Sequence, residues 1–308
     1  MPWTVFAIGA ALAAGLLLAV WMLLVEPRLF RVRRLVLDAD SLGLPQLKIL
    51  HMTDTHFNGR DEAALAFLGR LAAAERFDLI LFTGDLIDVP AGIESAARAA
   101  ALFRPRLGSF AVLGGHDYAQ IGFAQTYAGL LRGDPRRAFT FKNPVDRLVA
   151  SLAEEGVQIL EDASARAEAR DGRQFAVVGL RDAFVFGADV RQAWADVPDG
   201  LPSIAIAHSP DVLHEVRARG ARLAFFGHTH GGQVRFPIIG AVVTRSSLPR
   251  RLARGTFRSG GTVFVVSSGL GASGPTPFRL LCRPEVVVAE LRRSASAQDL
   301  TPVRPANV

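Results

Sequence analysis

The hydrophobic pattern of the chain begins with one long apolar segment at the amino terminus. Residues 3–25 form a run of 23 without a charged side chain. As a helix this run extends about 34 Å, which exceeds the roughly 30 Å hydrocarbon core of a bilayer. We therefore predict a transmembrane anchor over residues 1–26. A cleaved signal peptide is the alternative, but no basic residue precedes the run, and Glu26 and Pro27 follow it where a small-residue cleavage site belongs.

Positive charge flanks this anchor on its carboxyl-terminal side only. Four arginines lie within residues 28–34, whereas no charged side chain precedes the apolar run. Because basic flanks stay in the cytoplasm, we expect the rest of the chain to lie on the cytoplasmic side. We interpret residues 27–46 as a juxtamembrane segment between the anchor and a folded domain.

Short apolar runs alternate with segments of helical period along the remainder of the chain. The β-branched and aromatic runs predict strands, and the segments rich in Ala, Leu and Arg predict helices. The predicted strands include Leu47–Met52, Leu79–Thr83, Phe110–Leu113, Phe175–Leu180, Ile204–Ala207, Leu223–Phe226, Val263–Ser267 and Val286–Leu291. The predicted helices are Glu62–Glu75, Glu94–Phe103, Val145–Glu155 and Asp211–Arg219. This alternation is typical of a layered α/β domain, which we place at residues 47–291.

Two segments depart from this alternation. Residues 119–143 combine glycine, proline and aromatic side chains, which suits either a lid or a surface helix and loop whose aromatics pack down. Residues 292–308 are small, polar and proline-containing. We expect this tail to be disordered, because it has too little apolar surface to offset the entropy cost of ordering.

Histidines and aspartates cluster directly after the predicted strands. The motifs TDTH, TGDLID, LGGHD, AHSP and GHTHGGQ follow one another and contain five of the seven histidines. The candidate metal ligands in them are Asp54, His56, Asp85, His208, His228 and His230. A single histidine near a strand end is usually structural, so each motif alone is weak evidence. Their joint occurrence indicates a metal site, because imidazole and carboxylate are ligands of borderline divalent cations.

Composition narrows the chemistry of such a site. Cys282 is the only cysteine of the 308-residue chain, which excludes a cysteine-cluster metal site and an internal disulfide framework. The net charge of +6 comes almost entirely from arginine, because Lys48 and Lys142 are the only lysines. Binding of phosphate by guanidinium groups would explain this arginine content. The base composition of the source genome is the alternative explanation. The sequence has no zinc-finger spacing, RNP-type run or basic heptad region, so we expect no nucleic-acid partner.

The motif residues divide between two cations that share one carboxylate. The first cation would take Asp54, His56, Asp85 and His230, and the second would take Asp85, His208 and His228. A pair bridged in this way holds a hydroxide, because each metal lowers the pKa of bound water from about 15.7 toward 7. Attack of that hydroxide on phosphorus is the expected reaction. His116 is not assigned to either cation and is suited to protonate the leaving oxygen, with Asp117 orienting its ring.

The same motifs resemble the signature of the calcineurin-like metallophosphoesterases. That signature reads DxH, GDxxD, GNHD, a lone His and GHxH, and the five elements occur here in this order with one substitution. The segments GHTHGGQVRFP and SSGLGASGPTPFRLLCRPEV resemble the single-span bacterial branch of the family. The resemblance covers residues 47–291 and implies a four-layer αββα sandwich. It also implies two divalent metal ions, with manganese expected first and zinc, iron or magnesium as alternatives.

One position departs from that signature. Gly115 stands where the family has an asparagine that ligates the second metal. Glycine has no side-chain oxygen, so the second site is expected to be looser, or completed by water, a main-chain carbonyl or another residue. Candidate substrate-binding residues are the arginines beyond the last motif, namely Arg250, Arg251 and Arg279. A solvated surface is the alternative explanation of this charge.

The resemblance implies a metal-dependent hydrolase of a phosphodiester, pyrophosphate or phosphomonoester. We expect it at the bacterial inner membrane, with a single-pass anchor and a cytoplasmic catalytic domain. A lipidic substrate suits such an anchor, for example UDP-diacylglucosamine of lipid A synthesis or a phospholipid. The alternative is a catalytically weak membrane-bound sensor or scaffold that binds a phosphorylated ligand, which the loss of the asparagine favours. The sequence gives no information on the oligomeric state.

Overall fold

The computed structural model describes residues 2–121, 131, 140–183, 185–272, 274, 276–293 and 300–306. The α-helices described are α1 (Pro2–Val20), α2 (Ala39–Leu42), α3 (Glu62–Ala74), α4 (Gly92–Ala101), α5 (Gly115–Tyr118), α6 (Val145–Glu154), α7 (Val190–Ala193) and α8 (Leu213–Ala218). The strands are β1 (Arg31–Asp38), β2 (Leu47–Met52), β3 (Leu79–Thr83), β4 (Ser109–Val112), β5 (Ala119–Gln120), β6 (Thr140–Phe141), β7 (Val157–Ile159), β8 (Ala163–Glu168), β9 (Gln174–Leu180), β10 (Ser203–Ala207), β11 (Leu223–Phe226), β12 (Arg235–Phe236), β13 (Gly240–Ala241), β14 (Gly255–Ser259), β15 (Thr262–Val266), β16 (Glu285–Arg292) and β17 (Arg304–Pro305).

Two β-sheets form the centre of the fold. The first has the strand order β1-β16-β2-β3-β4-β7, and the second has the order β17-β14-β15-β11-β10-β9-β8. Apolar side chains of both sheets, among them Ile49, Leu81, Ile206 and Phe225, pack into one core between them. Helices α3, α4 and α6 cover the outer face of the first sheet, and α7 and α8 cover that of the second. The predicted α/β class and the four-layer αββα sandwich are therefore confirmed.

Alternation along the central strands produces this layering. In β2 and β3, Ile49 and Leu81 point into the core between the sheets, whereas Leu50 and Phe82 point toward the helices. Both faces of these strands are apolar because both are covered. Strands β2, β3 and β4 are parallel to one another, as are β9, β10, β11 and β15. Within each sheet the loops that follow these strands therefore lie along one edge.

Strand β1 corrects the domain boundary that the sequence suggested at residue 47. Arg31–Asp38 pairs with β16 in parallel over its whole length. Arg31 and Arg33 both contact Glu285, which is wholly buried. Their charges resemble a juxtamembrane flank in the sequence because the carboxylate that pairs with them comes 254 positions after Arg31. Most of residues 27–46 thus belongs to the folded domain.

The structure describes part of each of the two irregular segments, residues 292–308 and residues 119–143. Within the tail, residues 300–306 are ordered, because β17 pairs with β14 and the backbone N–H of Thr301 donates to the carbonyl of Val36. The prediction of disorder is wrong for this part of residues 292–308. The suggested lid at residues 119–143 lies largely outside the described residues. At its two ends, β5 and β6 pair in antiparallel fashion.

The apolar helix at the amino terminus ends in direct contact with the domain. Residues Trp3–Arg28 make one helical segment of 26 residues that is long and apolar enough to cross a membrane, a test that a signal sequence also passes. Its last turns dock through Glu26, which is 2% exposed. The carboxylate of Glu26 accepts hydrogen bonds from Trp21 Nε1 at 2.9 Å and from the backbone N–H of Cys282 at 2.6 Å. These bonds tie the end of the helix to the loop that precedes β16.

A buried histidine between the sheets makes stability depend on pH. The ring of His51 lies 5.0 Å from that of Phe225, and its Nε2 lies 2.7 Å from Thr83 Oγ1. Burial, reinforced by the positive charge of Arg33, lowers the pKa of His51 from 6.5 to about 3. Below pH 6.5 the unfolded chain binds a proton at this ring and the folded protein does not. Stability is therefore complete above that pH and falls toward pH 3, by up to about 1.4 kcal/mol per pH unit.

We expect replacement of His51 by phenylalanine to remove part of this acid sensitivity. The wild-type protein should unfold at a lower temperature at about pH 5.5 than at about pH 7.5, and the drop should be smaller in His51→Phe. The measurement is the midpoint of thermal unfolding in detergent at both pH values. His214→Phe, which replaces an exposed histidine, is the matched control and should keep the wild-type drop. An equal drop in wild type and His51→Phe would contradict the assignment.

Candidate metal centre

The sequence motifs meet where strands of both sheets end. The motif side chains follow their strands in this order: Asp54 and His56 after β2, Asp85 and Asp88 after β3, His116 and Asp117 after β4, His208 after β10, and His228 and His230 after β11. Such strand ends are the usual place for a site in an α/β protein. All of these side chains are buried except His228, which is partly exposed. The structure therefore brings together every predicted metal ligand.

The first group of side chains joins the loops after β2 and β11. His56 Nε2 and His230 Nε2 face each other at 3.1 Å, and His230 Nε2 lies 3.4 Å from Asp54 Oδ1. His56 Nδ1 lies 2.6 Å from Asp88 Oδ1 and donates its hydrogen there. That bond fixes the tautomer of His56 and leaves the lone pair of Nε2 facing His230.

The second group joins the loops after β3, β10 and β11. His208 Nε2 lies 3.2 Å from Asp85 Oδ2 and 3.3 Å from His228 Nδ1. His208 Nδ1 donates to the carbonyl of Thr83 at 2.8 Å, and His228 Nε2 donates to the carbonyl of Arg245 at 2.9 Å. These two bonds again turn the unprotonated nitrogens toward each other and toward the carboxylate.

This arrangement suits divalent cations. In each group two imidazole lone pairs face each other beside a carboxylate, which is repulsive unless a proton or a cation lies between them. Among the described residues, no lysine or arginine forms an ion pair with Asp54 or Asp85, whose ion-pair partners are histidines. Three combinations of His and Asp side chains bring their ligand atoms within 4.8 Å of one another. They are Asp54 with His56 and His230, His56 with Asp85 and His116, and Asp54 with Asp85 and His208.

The electrostatics of the site show how strongly its acids and bases interact. Burial opposes charge on Asp85, but the nearby His208 and His116 outweigh it and hold the pKa of that carboxyl well below its usual range. Burial likewise opposes charge on His56, but the carboxylate of Asp88 outweighs it and raises the pKa of the ring to about 9. A divalent cation placed here would replace the protons that the histidines hold beside the carboxylates, since neutral imidazole and ionised carboxylate are its ligands.

The backbone at the site is held in a conformation that the sequence does not reveal. Five of the six predicted ligands have positive φ, namely Asp54 at 49°, His56 at 45°, Asp85 at 52°, His228 at 66° and His230 at 48°. Each such residue costs on the order of 1–3 kcal/mol. The neighbouring glycines let the loops of the site approach one another closely. A Cβ on Gly227, for example, would lie 1.9 Å from Thr53 Oγ1.

The position of Asp117 corrects the role that the sequence suggested for it. Its Oδ1 accepts hydrogen bonds from the backbone N–H groups of Leu86 and Ile87 at 2.7 and 3.0 Å, and its Oδ2 accepts one from Gly114 at 2.9 Å. Asp117 therefore ties the loop after β4 to the loop after β3. The carboxylate beside the His116 ring is instead that of Asp88.

Asp88 is the functional candidate to which the sequence analysis gave no role. Its Oδ1 lies 2.6 Å from His56 Nδ1 and 2.9 Å from His116 Nδ1. Its Oδ2 accepts a hydrogen bond from the backbone N–H of Gly274 at 2.8 Å. The second aspartate of the GDLID motif was the available signal, since it lies three residues after Asp85 and, in the structure, beside the histidines His56 and His116.

We expect Asp88→Asn to weaken cation binding by about 10- to 100-fold, because hydrogen-bond partners of ligating histidines contribute that much to metal affinity. The amide keeps the volume but no longer attracts a positive charge on His56 or His116. The measurement is a metal titration of the purified variant by calorimetry. Asp162→Asn is the matched control, because Asp162 is also buried but pairs with Arg181 elsewhere in the fold. Equal affinity in Asp88→Asn and wild type would contradict the role.

The three predicted substrate arginines lie in different environments. Arg279 is fully buried, and its guanidinium donates to the carbonyls of Cys282, Ser268 and Gly271. The prediction of substrate contact by Arg279 is therefore wrong, because the group is occupied in holding the loop that follows β15. Arg250 and Arg251 are exposed in a short 3₁₀ helix, and their contact with substrate stays a prediction.

A buried set of histidines and aspartates on a four-layer αββα scaffold defines a metal-dependent phosphoesterase. The chain belongs to the calcineurin-like phosphoesterase family, whose sequence model matches residues 47–232, more than half of its length.

Two relatives and one solved structure illustrate the similarity. The UDP-2,3-diacylglucosamine pyrophosphatase LpxG of Chlamydia trachomatis is 30% identical over 314 residues, which cover 89% of this chain and 93% of that protein. The phosphodiesterase YaeI of Escherichia coli is 27% identical over 269 residues, which cover 86% of this chain and 90% of that protein. The crystal structure of phosphopantetheinyl hydrolase PptH from Mycobacterium tuberculosis has a TM-score of 0.40 and 13% identity, covering 77% of this chain and 96% of that one.

Proposed function

We propose that the protein is a membrane-anchored phosphoesterase with two divalent cations that hydrolyses a lipidic phosphodiester or pyrophosphate. The observation that carries this proposal is the position of Asp85 between the two groups. Its Oδ2 lies 3.2 Å from His208 Nε2 on one side and 3.8 Å from His56 Nε2 on the other. A carboxylate shared in this way suits a bridged pair of cations about 3.5–4 Å apart.

The side chains divide between the cations as the sequence suggested. One cation takes Asp54, His56, Asp85 and His230, and the other takes Asp85, His208 and His228. When bound, such a pair lowers the pKa of water to about 7 and offsets negative charge on the phosphoryl oxygens. Gly115 supplies no side-chain ligand to the second cation, so three side chains hold it. Manganese is the first metal to test.

His116 is the proposed proton donor to the leaving oxygen. Its backbone N–H donates to Asp85 Oδ1 at 2.9 Å, and its ring stands edge-on to that of His56 with centroids 4.7 Å apart. The carboxylate of Asp88 lies 2.9 Å from Nδ1 and occupies that side of the ring. The proton on Nε2 is then the one available for transfer.

We infer that the apolar helix is a permanent anchor. Glu26 supports this inference, because it is buried against the domain and accepts hydrogen bonds from both Trp21 and Cys282. Cleavage within the helix would remove the apolar surroundings of that carboxylate and one of its two donors. The arginines after the helix favour an orientation with the catalytic domain on the cytoplasmic face of the inner membrane.

A lipid-linked pyrophosphate such as UDP-diacylglucosamine is the substrate class that we favour. The similarity to LpxG supports it, because it extends over nearly the whole of both chains. A phosphodiester of a phospholipid is the second candidate, and the similarity to the phosphodiesterase YaeI supports the phosphodiester bond. Both substrates keep their acyl chains in the leaflet and present the phosphorus to an enzyme at its surface.

Metal content and hydrolysis measured on the same sample test the proposal. Detergent-purified protein would be analysed for bound metal and assayed with bis(p-nitrophenyl) phosphate in the presence of manganese, magnesium, zinc or iron. About two metals per chain, with turnover that depends on them, is the expected result. One metal or none, with no turnover under any condition, would overturn it and favour a sensor that binds a phosphorylated ligand.

A further inference from the structure

A two-stranded hairpin after the last metal-binding motif presents apolar side chains to the surroundings. Strands β12 and β13 pair in antiparallel fashion, and residues 237–239 form the turn between them. The exposed apolar residues here are Phe236, Ile238, Ile239, Val243 and Leu281, which together we call the apolar hairpin surface. Ile238 is 108% exposed and Ile239 is 70% exposed, so both side chains project from the described part of the chain. Such a cluster marks an interaction site.

The backbone at the hairpin tip is one that isoleucine disfavours. Ile238 has a φ of 70°, in the left-handed region where a β-branched side chain crowds the backbone. Glycine or asparagine would relieve this strain, and either would be well hydrated at a turn in water. The tip therefore holds a side chain that suits neither its backbone nor an aqueous environment.

The base of the hairpin is joined to residues 279–282. The backbone N–H of Arg235 donates to the carbonyl of Leu280 at 2.9 Å, and the N–H of Leu280 donates to the carbonyl of Gln233 at 2.9 Å. Val234 and Leu280 form a parallel bridge. Backbone hydrogen bonds therefore attach the base of the hairpin to residues 279–282.

The same segment also holds the end of the apolar helix. The backbone N–H of Arg279 donates to the carbonyl of Met22 at 3.0 Å, and that of Cys282 donates to Glu26 at 2.6 Å. The hairpin base and the helix end are therefore both hydrogen-bonded to four consecutive residues. Because neighbouring backbones lie about 4.8 Å apart, the hairpin sits close to the point where the helix leaves the membrane.

Basic side chains and the metal centre lie beside this surface. Arg283 donates to the carbonyl of Leu29 at the helix end and is exposed, as expected for a residue that faces anionic headgroups. Arg235 donates to the carbonyl of Gly231, next to the metal ligand His230. The hairpin is thus connected at its base to the metal-binding loop.

We propose that the apolar hairpin surface inserts into the boundary between headgroups and acyl chains of the leaflet in which the apolar helix ends. This second attachment fixes the metal centre against the membrane surface, where the phosphorus of a lipid-linked substrate lies. The proposal rests on the membrane anchor of the proposed function. Lipid is the occupant because the hairpin and the helix end share one segment, so that the bilayer is the nearest apolar phase.

Fluorescence quenching on the full-length chain in nanodiscs tests this insertion. Single cysteines introduced as Ile239→Cys, Leu24→Cys and Leu102→Cys would carry an environment-sensitive dye, while Cys282 is buried and can stay. The nanodiscs would contain phosphatidylcholine and phosphatidylglycerol, with and without lipid that carries a doxyl group near the headgroup end of the acyl chain. Iodide serves as the aqueous quencher. Leu102 is the matched control, an exposed apolar residue at the end of α4, away from the strand ends that carry the metal ligands.

The expected result is that doxyl lipid quenches the dye at Ile239 and at Leu24, whereas iodide quenches it at Leu102. Quenching of the Ile239 dye by iodide to the extent seen at Leu102, without quenching by doxyl lipid, would overturn the insertion. Protection from both quenchers would also overturn it, and would indicate that protein, such as a second copy of the chain, covers the hairpin. Absence of lipid quenching at Leu24 would count against the anchor itself. Loss of phosphodiester hydrolysis would count against the proposed function and not against the insertion.

Discussion

Replacement of Asp85 by alanine should remove both cations from the protein and reduce turnover by roughly a thousandfold or more. Asp85 lies between the two groups of histidines, with its Oδ2 at 3.2 Å from His208 and 3.8 Å from His56. Its Oδ1 also accepts the backbone N–H of His116 at 2.9 Å. The substitution therefore removes a shared negative charge and one of the hydrogen bonds that hold the loop after β4 in place.

Elemental analysis and the hydrolysis assay on one sample would measure this effect. Asp162→Ala is the control, because it removes an equally buried carboxylate outside the site and should leave metal content near the wild-type value. Thermal unfolding of both variants would separate loss of metal from loss of fold. Two metals per chain in folded Asp85→Ala would contradict the bridging assignment.

Replacement of His116 by alanine should leave both cations in place and reduce turnover by about 10²- to 10⁴-fold. The reason is that His116 is assigned to the leaving oxygen and not to either cation. Loss of a proton donor matters most for a poor leaving group. The defect should therefore be large for an alkyl phosphodiester and small for a nitrophenyl ester, whose phenolate departs without protonation.

Comparison of the two ester types with His116→Ala and His214→Ala would test this assignment. His214 is an exposed histidine on α8, and its replacement should affect neither substrate. Loss of metal from His116→Ala would show instead that His116 is a metal ligand. This is the main alternative, because His116 offers a ligand atom within 4.8 Å of those of His56 and Asp85. A defect of equal size for both esters would exclude proton donation.

The metal-binding side chains were predictable because their motifs follow parallel strands. Runs such as Leu47–Met52 and Leu79–Thr83 are apolar on both faces, so their boundaries in the sequence match those in the structure. Strands of one sheet that run in the same direction end at the same edge, and the polar residues after them must meet there. The choice between Asp88 and Asp117 as partner of His116 was not predictable, since it depends on which loop each carboxylate ties down.

Strand β1 was not predictable from local pattern. Its sequence contains three arginines in four residues, and such charge indicates a solvated flank beside a membrane helix. In the fold, Arg33 donates to Thr256 Oγ1 and to the carbonyl of Val266 and also contacts Glu285. These partners lie more than 200 positions later, beyond the reach of any window of sequence. The positive φ values of the ligands were equally hidden, since His and Asp give no sign of the left-handed region.

Strand β1 spends most of the chain's synthesis without a partner. It leaves the ribosome directly after the apolar helix, but Glu285, which pairs with Arg31, follows 254 residues later. At about 5–20 residues per second this delay lasts roughly 13–50 s. Strand β16 lies between β1 and β2 in the first sheet, so neither strand can complete its pairing during that time. The apolar helix therefore emerges long before β1 can complete its pairing, and the first sheet can close only after β16 has been translated.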